Sequence, residues 1–401
     1  MTMYPAERRA VVTLSAILSL RMIGLFMVLP VFALYASTLS GFTPFLLGLS
    51  LGVYGLTQAL CQIPFGTLSD HVGRKPVIAA GLVIFIVGSL LAGAAHSMLW
   101  LLIARALQGV GAVGSTLLAL LSDLTRDNQR SKAMAIAGIS IGIAFSLAMV
   151  LGPLLLKWLA FSWLFYLAAL FGLFALLLLF FGVKGNASPK THAHDPVSVA
   201  NVLKLIFLPT LARLNLGIFI LHAIFTASFI AIPLSLLQTA HLSTEQAWHL
   251  YLPTLLFAFI ISIACIGMAE RKQRVKTYFI ASILLLMISE LLLWLFSAHL
   301  FIFAIALLLF FSGFSTLEAF LPSLVSRAAP AGRKGAALGL YSCSQFLGIF
   351  VGGALGGWAY GRIGLTSIYF FCSLFLFCWF LFSFFMPAVV RSSSTPVSAT
   401  N

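Results

Sequence analysis

The chain has 401 residues, 61% of them hydrophobic and only 8% charged, with a net charge of +14; its mean hydropathy is +1.10. A soluble domain carries about 25% charged residues, and a chain this apolar lacks the polar surface to cover itself in water, so a soluble fold is excluded and lipid is the solvent. The bases are scattered over short junctions instead of forming one basic face, which excludes nucleic acid as the partner.

A spanning helix needs about 20 apolar residues. Twelve stretches of that size follow one another, at 11–36, 45–69, 76–95, 98–122, 132–156, 161–183, 210–238, 246–269, 277–297, 299–325, 335–360 and 365–387. None shows the strict alternation of a membrane-spanning strand. The first is too long for a cleavable signal and no small-residue cleavage pattern follows it; neither end carries a lipidation motif. If the twelve helices alternate in direction, 18 of the 23 lysines and arginines fall on one side, Lys157 and Arg362 on the other, and Arg21, Arg105 and Arg213 inside the segments. By the positive-inside rule this puts both termini of a multi-pass protein in the cytoplasm.

The first segment carries Arg21, Gly24 and, near its far end, Tyr35. The second carries Gln58 and Gln62 and runs into GTLSDHVGRK, residues 66–75, a cluster of one acid, one histidine, two bases and two glycines. Asp70 there falls at a helix C-terminus, where its own helix dipole opposes it, so it needs a partner; Arg74, four residues on, can supply the charge. Pro76 suits the first turn of the third helix. A solvated turn that only sets topology is the alternative reading. The fourth segment contains Arg105 in RALQGVGA and ends in LLSD at Asp123; the fifth contains Gly138, Gly142 and Gly152-Pro153. After the sixth comes the longest polar stretch, with His192 and His194 in HAHD, which reads as a solvated linker and not as a metal site. The seventh carries Arg213, Asn215 and His222, the ninth Glu290, the tenth Glu318, and the eleventh Tyr341 and Gln345. No cofactor is implied, and the five cysteines, at no metal-ligand spacing, read as small packing residues.

The linker divides the chain six and six: a helical bundle at 1–183, a cytoplasmic linker at 184–209, a second bundle at 210–388 and a cytoplasmic tail at 389–401. The halves echo each other. Asp70 and Arg74 return as Glu270 and Arg274 at a spacing of 200, Arg21 and Gly24 return as Arg213 and Gly217, and LLSDLTRDNQRSKAMA has a counterpart in SLVSRAAPAGRKGAALG. Such repeats mark one large class of secondary transporters.

These residues resemble the major facilitator superfamily, and within it the drug:proton antiporters. Gly66, Leu68, Asp70, Gly73, Arg74 and Lys75 match the family's signature between helices 2 and 3, with His71 where the family has arginine; Arg105, Gln108, Gly109 and Gly111 approximate its helix 4 motif, and the helix 5 motif is partial. The resemblance implies an all-α protein of a bacterial inner (cytoplasmic) membrane, twelve transmembrane helices in two six-helix bundles related by a pseudo-twofold axis. It further implies that helices 1, 4, 7 and 10 line a central cavity. Gly66, Asp70, Gly73, Arg74, Lys75 and Asp123 would then form a conformational latch, with Asp70 meeting the start of helix 11. A charge within the membrane is costly and by default functional. Glu318 is the expected proton carrier, since an arriving cation or a moving arginine would alter its protonation. Arg105, Arg21 and Arg213 are its companions, with Arg21 pairing with Glu318 or tuning it, and Arg213 equally a snorkelling residue. Glu290, on a peripheral helix, reads as structural. Tyr35, Gln58, Asn215, His222, Tyr341 and Gln345 are polar cavity residues or, one by one, helix–helix hydrogen bonds.

The function expected is proton-coupled efflux of drugs or other amphipathic small molecules by a monomer in the bilayer, with small-molecule substrate and protons as partners. A sugar or metabolite exporter or uniporter on the same fold is the alternative, because a fold does not set its substrate. An intramembrane enzyme or a receptor is disfavoured: no catalytic pairing such as GxSxG or HExxH and no Walker sequence occurs.

Overall fold

A computed structural model describes residues 3–111, 113–183, 205–330 and 333–385. Twelve helices long and apolar enough to span a membrane follow in order: α1 Pro5–Ala36, α2 Pro44–Val72, α3 Arg74–Gly93, α4 Met98–Asp123, α5 Asp127–Leu155, α6 Ser162–Gly182, α7 Pro209–Gln238, α8 Thr244–Arg271, α9 Val275–Phe296, α10 Leu300–Ala328, α11 Lys334–Arg362 and α12 Ser367–Phe384. The twelve expected stretches all appear, because a helix is the open-ended way to satisfy every backbone group in lipid. The expected linker, up to residue 204, and the tail lie outside the described residues.

Local chemistry sets the interruptions. Pro30, which has no N–H to donate, breaks α1 between Phe26 and Leu29. α4 breaks between Val110 and Gly114, leaving the Gly111 carbonyl outside the helical ladder. Thr43 and Ser97 cap α2 and α4 by accepting from the backbone N–H groups of Leu46 and Trp100. The stretch 66–75, expected as a loop, is almost wholly helical: α2 continues through Val72, and α3 starts at Arg74. One residue makes the turn. Gly73 has φ 103°, a backbone region that disfavours any side chain.

The two halves pack alike. In the first, α1 lies on α5, α3 on α6, and α2 and α3 on α4; in the second, α7 lies on α11, α9 on α12, and α8 and α9 on α10. Every pairing maps onto the other half by adding six. The halves meet through α2 against α11, α5 against α8, and the short second piece of α1 against α7.

That meeting is one-ended. Odd-numbered helices run from the end of the molecule holding Asp70 to the end holding Pro44. A continuous apolar core joins both halves toward the Pro44 end, where Met27, Val31 and Phe32 of α1 share one cluster with Ile230, Leu234 and Tyr251. Toward the Asp70 end the first half has a separate core of its own, around Leu14, Leu117, Leu121 and Ala137. Glycines show why the backbones of α2 and α11 can touch near Pro44. A methyl added at Gly48 would land on the carbonyl oxygen of Gly353, and one at Gly353 on that of Gly48; at Gly52 it would lie 2.7 Å from the Phe350 oxygen, and at Gly357 2.6 Å from that of Pro44. At the other end of the same helices, Gly66, Gly335 and Gly339 have nothing within 4 Å of such a methyl.

Candidate functional site

Helices α7, α10 and α11 bring three of the expected polar residues together. The Gln345 amide nitrogen lies 3.3 Å from Glu318 Oε1 and 2.8 Å from His222 Nε2, so it donates one hydrogen to each. His222 Nε2 is itself 3.8 Å from Glu318 Oε2. Glu318 faces the space between the halves with 38% of its side chain exposed, whereas the His222 side chain is 8% exposed. Tyr341 and Asn215 are buried on the same helices, with the Tyr341 hydroxyl and Asn215 Oδ1 making no hydrogen bond.

An aromatic wall stands on the Pro44 side of this cluster. Phe314 precedes Glu318 by one turn of α10 and stacks on Phe225 of α7 at 4.7 Å. Phe145 of α5 reaches across from the other half, with its ring 5.9 Å from Phe225 and 6.3 Å from Phe314; Phe26 of α1 backs it at 5.0 Å. Sequence reasoning left these rings unassigned among 37 phenylalanines, since composition carries no facing information.

The intramembrane arginines do not join Glu318. Arg21 is 1% exposed and turns toward α2 and α4. Its Nη2 donates to the Tyr54 hydroxyl and the Gly111 carbonyl, both at 3.2 Å, and to Gln58 at 3.5 Å. The expected contact of Arg21 with Glu318 is thus absent, for a physical reason: the α4 break frees a carbonyl at the negative end of a helix dipole, an alternative anchor for a guanidinium. Arg105 donates to Gln108 at 2.7 Å and to the Ser50 carbonyl at 3.5 Å, with the Tyr54 ring 5.0 Å away. Arg213 lies over Phe382 of α12 at 5.8 Å, away from the polar cluster. Among the described residues none of the three forms an ion pair. Tyr35 also leaves the cavity group: its hydroxyl donates to the Ala95 carbonyl and its ring stacks on Phe161 at 4.0 Å.

At the Asp70 end, Arg74 is the hub. It contacts Asp70 at 2.6 Å, Asp123 at 3.2 Å and the Ser69 hydroxyl at 2.6 Å; Ser69 was not foreseen. Lys75 turns away and donates to the Val183 carbonyl at the end of α6. Asp70 has 59% of its side chain exposed, and its ion pair is with Arg74 of its own half. In the second half, Glu270 pairs with Arg327 at 3.3 Å and not with Arg274. Lys276 donates to the Phe384 carbonyl at the end of α12, 201 residues after the matching pair Lys75 and Val183. Two other clusters stand apart, one of them around Glu290, which was expected to be structural. Arg126 donates to Glu7 and lies 3.7 Å over the Tyr4 ring. Glu290, fully buried, accepts from Ser228 at 2.6 Å.

The described residues form two six-helix sets with one repeated packing plan, and the proteins this chain is similar to are membrane transporters, not enzymes. The chain belongs to the Major Facilitator Superfamily, whose family model matches residues 14–351 and 216–400. It is 41% identical over 367 residues to the inner membrane transport protein YajR of Escherichia coli (strain K12), spanning 92% of this chain and 81% of that protein. It is 34% identical over 347 residues to the uncharacterized transporter BU466 of Buchnera aphidicola subsp. Acyrthosiphon pisum, spanning 86% and 89%. Among solved structures, a D-xylose-proton symporter has the same fold, with a TM-score of 0.77 at 15% identity over 94% of this chain and 98% of that one.

Proposed function

We propose that this transporter exports small amphipathic compounds in exchange for protons, by alternating access about the space that Glu318 faces. The observation that carries the reading is the placement of Glu318. It is a carboxyl in the central space, held by one amide, free of any arginine, and one helical turn from the aromatic wall. An amphipathic molecule finds a carboxyl for a charged or polar group and rings for its apolar part. Since Glu318 forms no ion pair with an arginine, it is free to exchange its proton for substrate. The sugar alternative is less well served, because the wall offers rings where hydroxyls need partners.

The Asp70 end is the cytoplasmic one in this proposal, on the strength of the 18-to-2 distribution of bases, and the membrane is the inner one, as for YajR. The halves are then joined on the outer side and parted on the inner side, an inward-facing arrangement. Asp70, Arg74 and Asp123 are the open half of a latch that engages α11 when the inner side closes. The chain works as a monomer.

The test is purified protein in liposomes with an imposed pH gradient and a panel of cationic dyes and sugars. Dye flux that follows the gradient and vanishes in Glu318→Gln is expected. Gradient-driven flux that survives this substitution would remove Glu318 as the carrier, and sugar flux without dye flux would favour the alternative.

A further inference from the structure

Glu290 is the one intramembrane acid that this mechanism does not use. Its carboxyl is completely buried, between α7 and α12. Among the described residues no lysine, arginine or histidine forms an ion pair with it. Oε1 accepts from the Ser228 hydroxyl at 2.6 Å, and Oε2 has no hydrogen bond. An ionised Glu290 therefore lacks both a donor for Oε2 and a cation to balance its charge. A purely structural residue in this position would be completed by its surroundings.

The groups around it are proton-bearing. Ser228 Oγ lies 3.9 Å from the Cys372 thiol. The Tyr369 hydroxyl lies 3.0 Å from Ser235 Oγ. Tyr251 is fully buried with an unpartnered hydroxyl, and it lines a small cleft between the halves at the Pro44 end, with Pro30 and Thr244. Hydroxyl and thiol groups thus occur beside Glu290, at Ser228 and Cys372, and separately nearer the cleft, at Ser235, Tyr369 and Tyr251. Of the groups placed at this site, α7 contributes the Ser228 hydroxyl and, behind it, α12 the Cys372 thiol.

We propose that Glu290 is a second proton-binding site of the transporter, separate from Glu318. The proposal rests on the reading of the chain as proton-coupled. The proton comes from water and binds Oε2, the free oxygen, neutralising one negative charge; release returns it to water. Helix α7 ties the two sites together, because it carries His222 beside Glu318 and, six residues on, Ser228 beside Glu290.

Acid-minus-alkaline infrared difference spectra of the full chain in lipid vesicles test this without any substrate. The expected result is two carboxylic C=O bands that grow as pH falls, one lost in Glu290→Gln and the other in Glu318→Gln. Ser228→Ala, which removes the hydroxyl donated to Oε1, is expected to shift the Glu290 band to higher frequency and leave the Glu318 band in place. A spectrum unchanged by Glu290→Gln, or a Glu290 band of constant intensity at every pH where the protein stays folded, overturns the proposal. If Glu290→Gln does not fold, Ser228→Ala decides: an unshifted spectrum overturns it. A spectrum in which only the Glu318 band fails to respond to pH refutes the role of Glu318 and leaves Glu290 standing.

Discussion

The contact of α2 with α11 near Pro44 has no room for a side chain, so Gly353→Ala is a direct test of the conformational reading. The added methyl falls on the Gly48 carbonyl oxygen and 2.9 Å from the Gly52 Cα and backbone nitrogen. All three obstacles are backbone, so no rotamer change relieves them, and the two helices must separate by about 1 Å. Overpacking of this kind costs ~1–3 kcal/mol. The cost applies only while the Pro44 end is closed. The gain in helix propensity on replacing glycine, up to about 1 kcal/mol, applies in both states and cancels. The ratio of closed to open at that end is therefore expected to fall by about 5–150-fold. Spin labels at Ser40 and Arg362 report the Pro44 end, and labels at His71 and Lys334 report the other, in a background with the five native cysteines replaced; all four positions are exposed. Gly353→Ala is expected to add a longer Ser40–Arg362 distance and a shorter His71–Lys334 distance. Gly339→Ala, with nothing within 4 Å of its methyl, is expected to change neither. Distance distributions identical to the parent's in a folded Gly353→Ala protein would refute the argument.

Other substitutions separate the roles of the polar groups. Asp70→Asn removes a largely exposed pair worth at most ~1 kcal/mol, so the melting temperature is expected to stay within a few degrees while turnover falls and the label distances shift toward the inward-facing state; unchanged distances would count against the latch. Gln345→Leu deletes the one hydrogen bond that Glu318 accepts, a loss of ~1 kcal/mol, and is expected to displace the pH profile of dye flux without abolishing it. A profile that superimposes on the parent's would show that the amide does not tune Glu318. Lys75→Met and Lys276→Met each take a cation from a helix C-terminus, where it contributes ~0.3–1 kcal/mol; matched, small drops in melting temperature are expected from their equivalent places, and a loss confined to one would break the equivalence.

The helices and their repeat were legible because both depend on local or translational information. An apolar run of bilayer length is helical whatever surrounds it, and the spacing of 200 between Asp70 and Glu270 anticipated the paired lysine contacts at 201. Side-chain direction was not legible. Arg21 and Glu318 lie on neighbouring cavity helices, yet which face of α1 carries Arg21 depends on the carbonyl freed at Gly111, a tertiary fact. The repeat also misled: it matched Glu270 with Arg274, whereas Arg327 from α10 reaches the acid. The α2–α11 contact did have a signal, the four-residue spacing of Gly48 and Gly52 on one helix and Gly353 and Gly357 on the other, which is the pattern for close helix approach in lipid. The single-residue turn at Gly73 had none, because a polar, charged stretch reads as loop whether or not its backbone stays helical.

The duplicated frame carries unlike chemistry in its two halves, and that difference bears on how the halves communicate. The first half buries the cations Arg21 and Arg105 against carbonyls, amides and rings, with Arg21 Nε and Nη1 making no hydrogen bond. The second half holds the acids Glu290 and Glu318 and leaves one oxygen of each without a hydrogen bond. The arginines keep their charge in every state, whereas a carboxyl can gain or lose a proton. Opposite charges attract more strongly the closer they lie, and only the change in that attraction between two states moves their ratio. An ionised Glu318 would therefore draw the second half toward the first across the open Asp70 end, and a protonated or substrate-bound Glu318 would not. That differential attraction is what a ligand needs in order to shift a conformational equilibrium at all. It makes a definite demand: Arg21→Gln, which leaves Glu318 and its amide untouched, is expected to weaken the dependence of the His71–Lys334 distance on pH, and an undiminished dependence would mean that the charge of the first half takes no part.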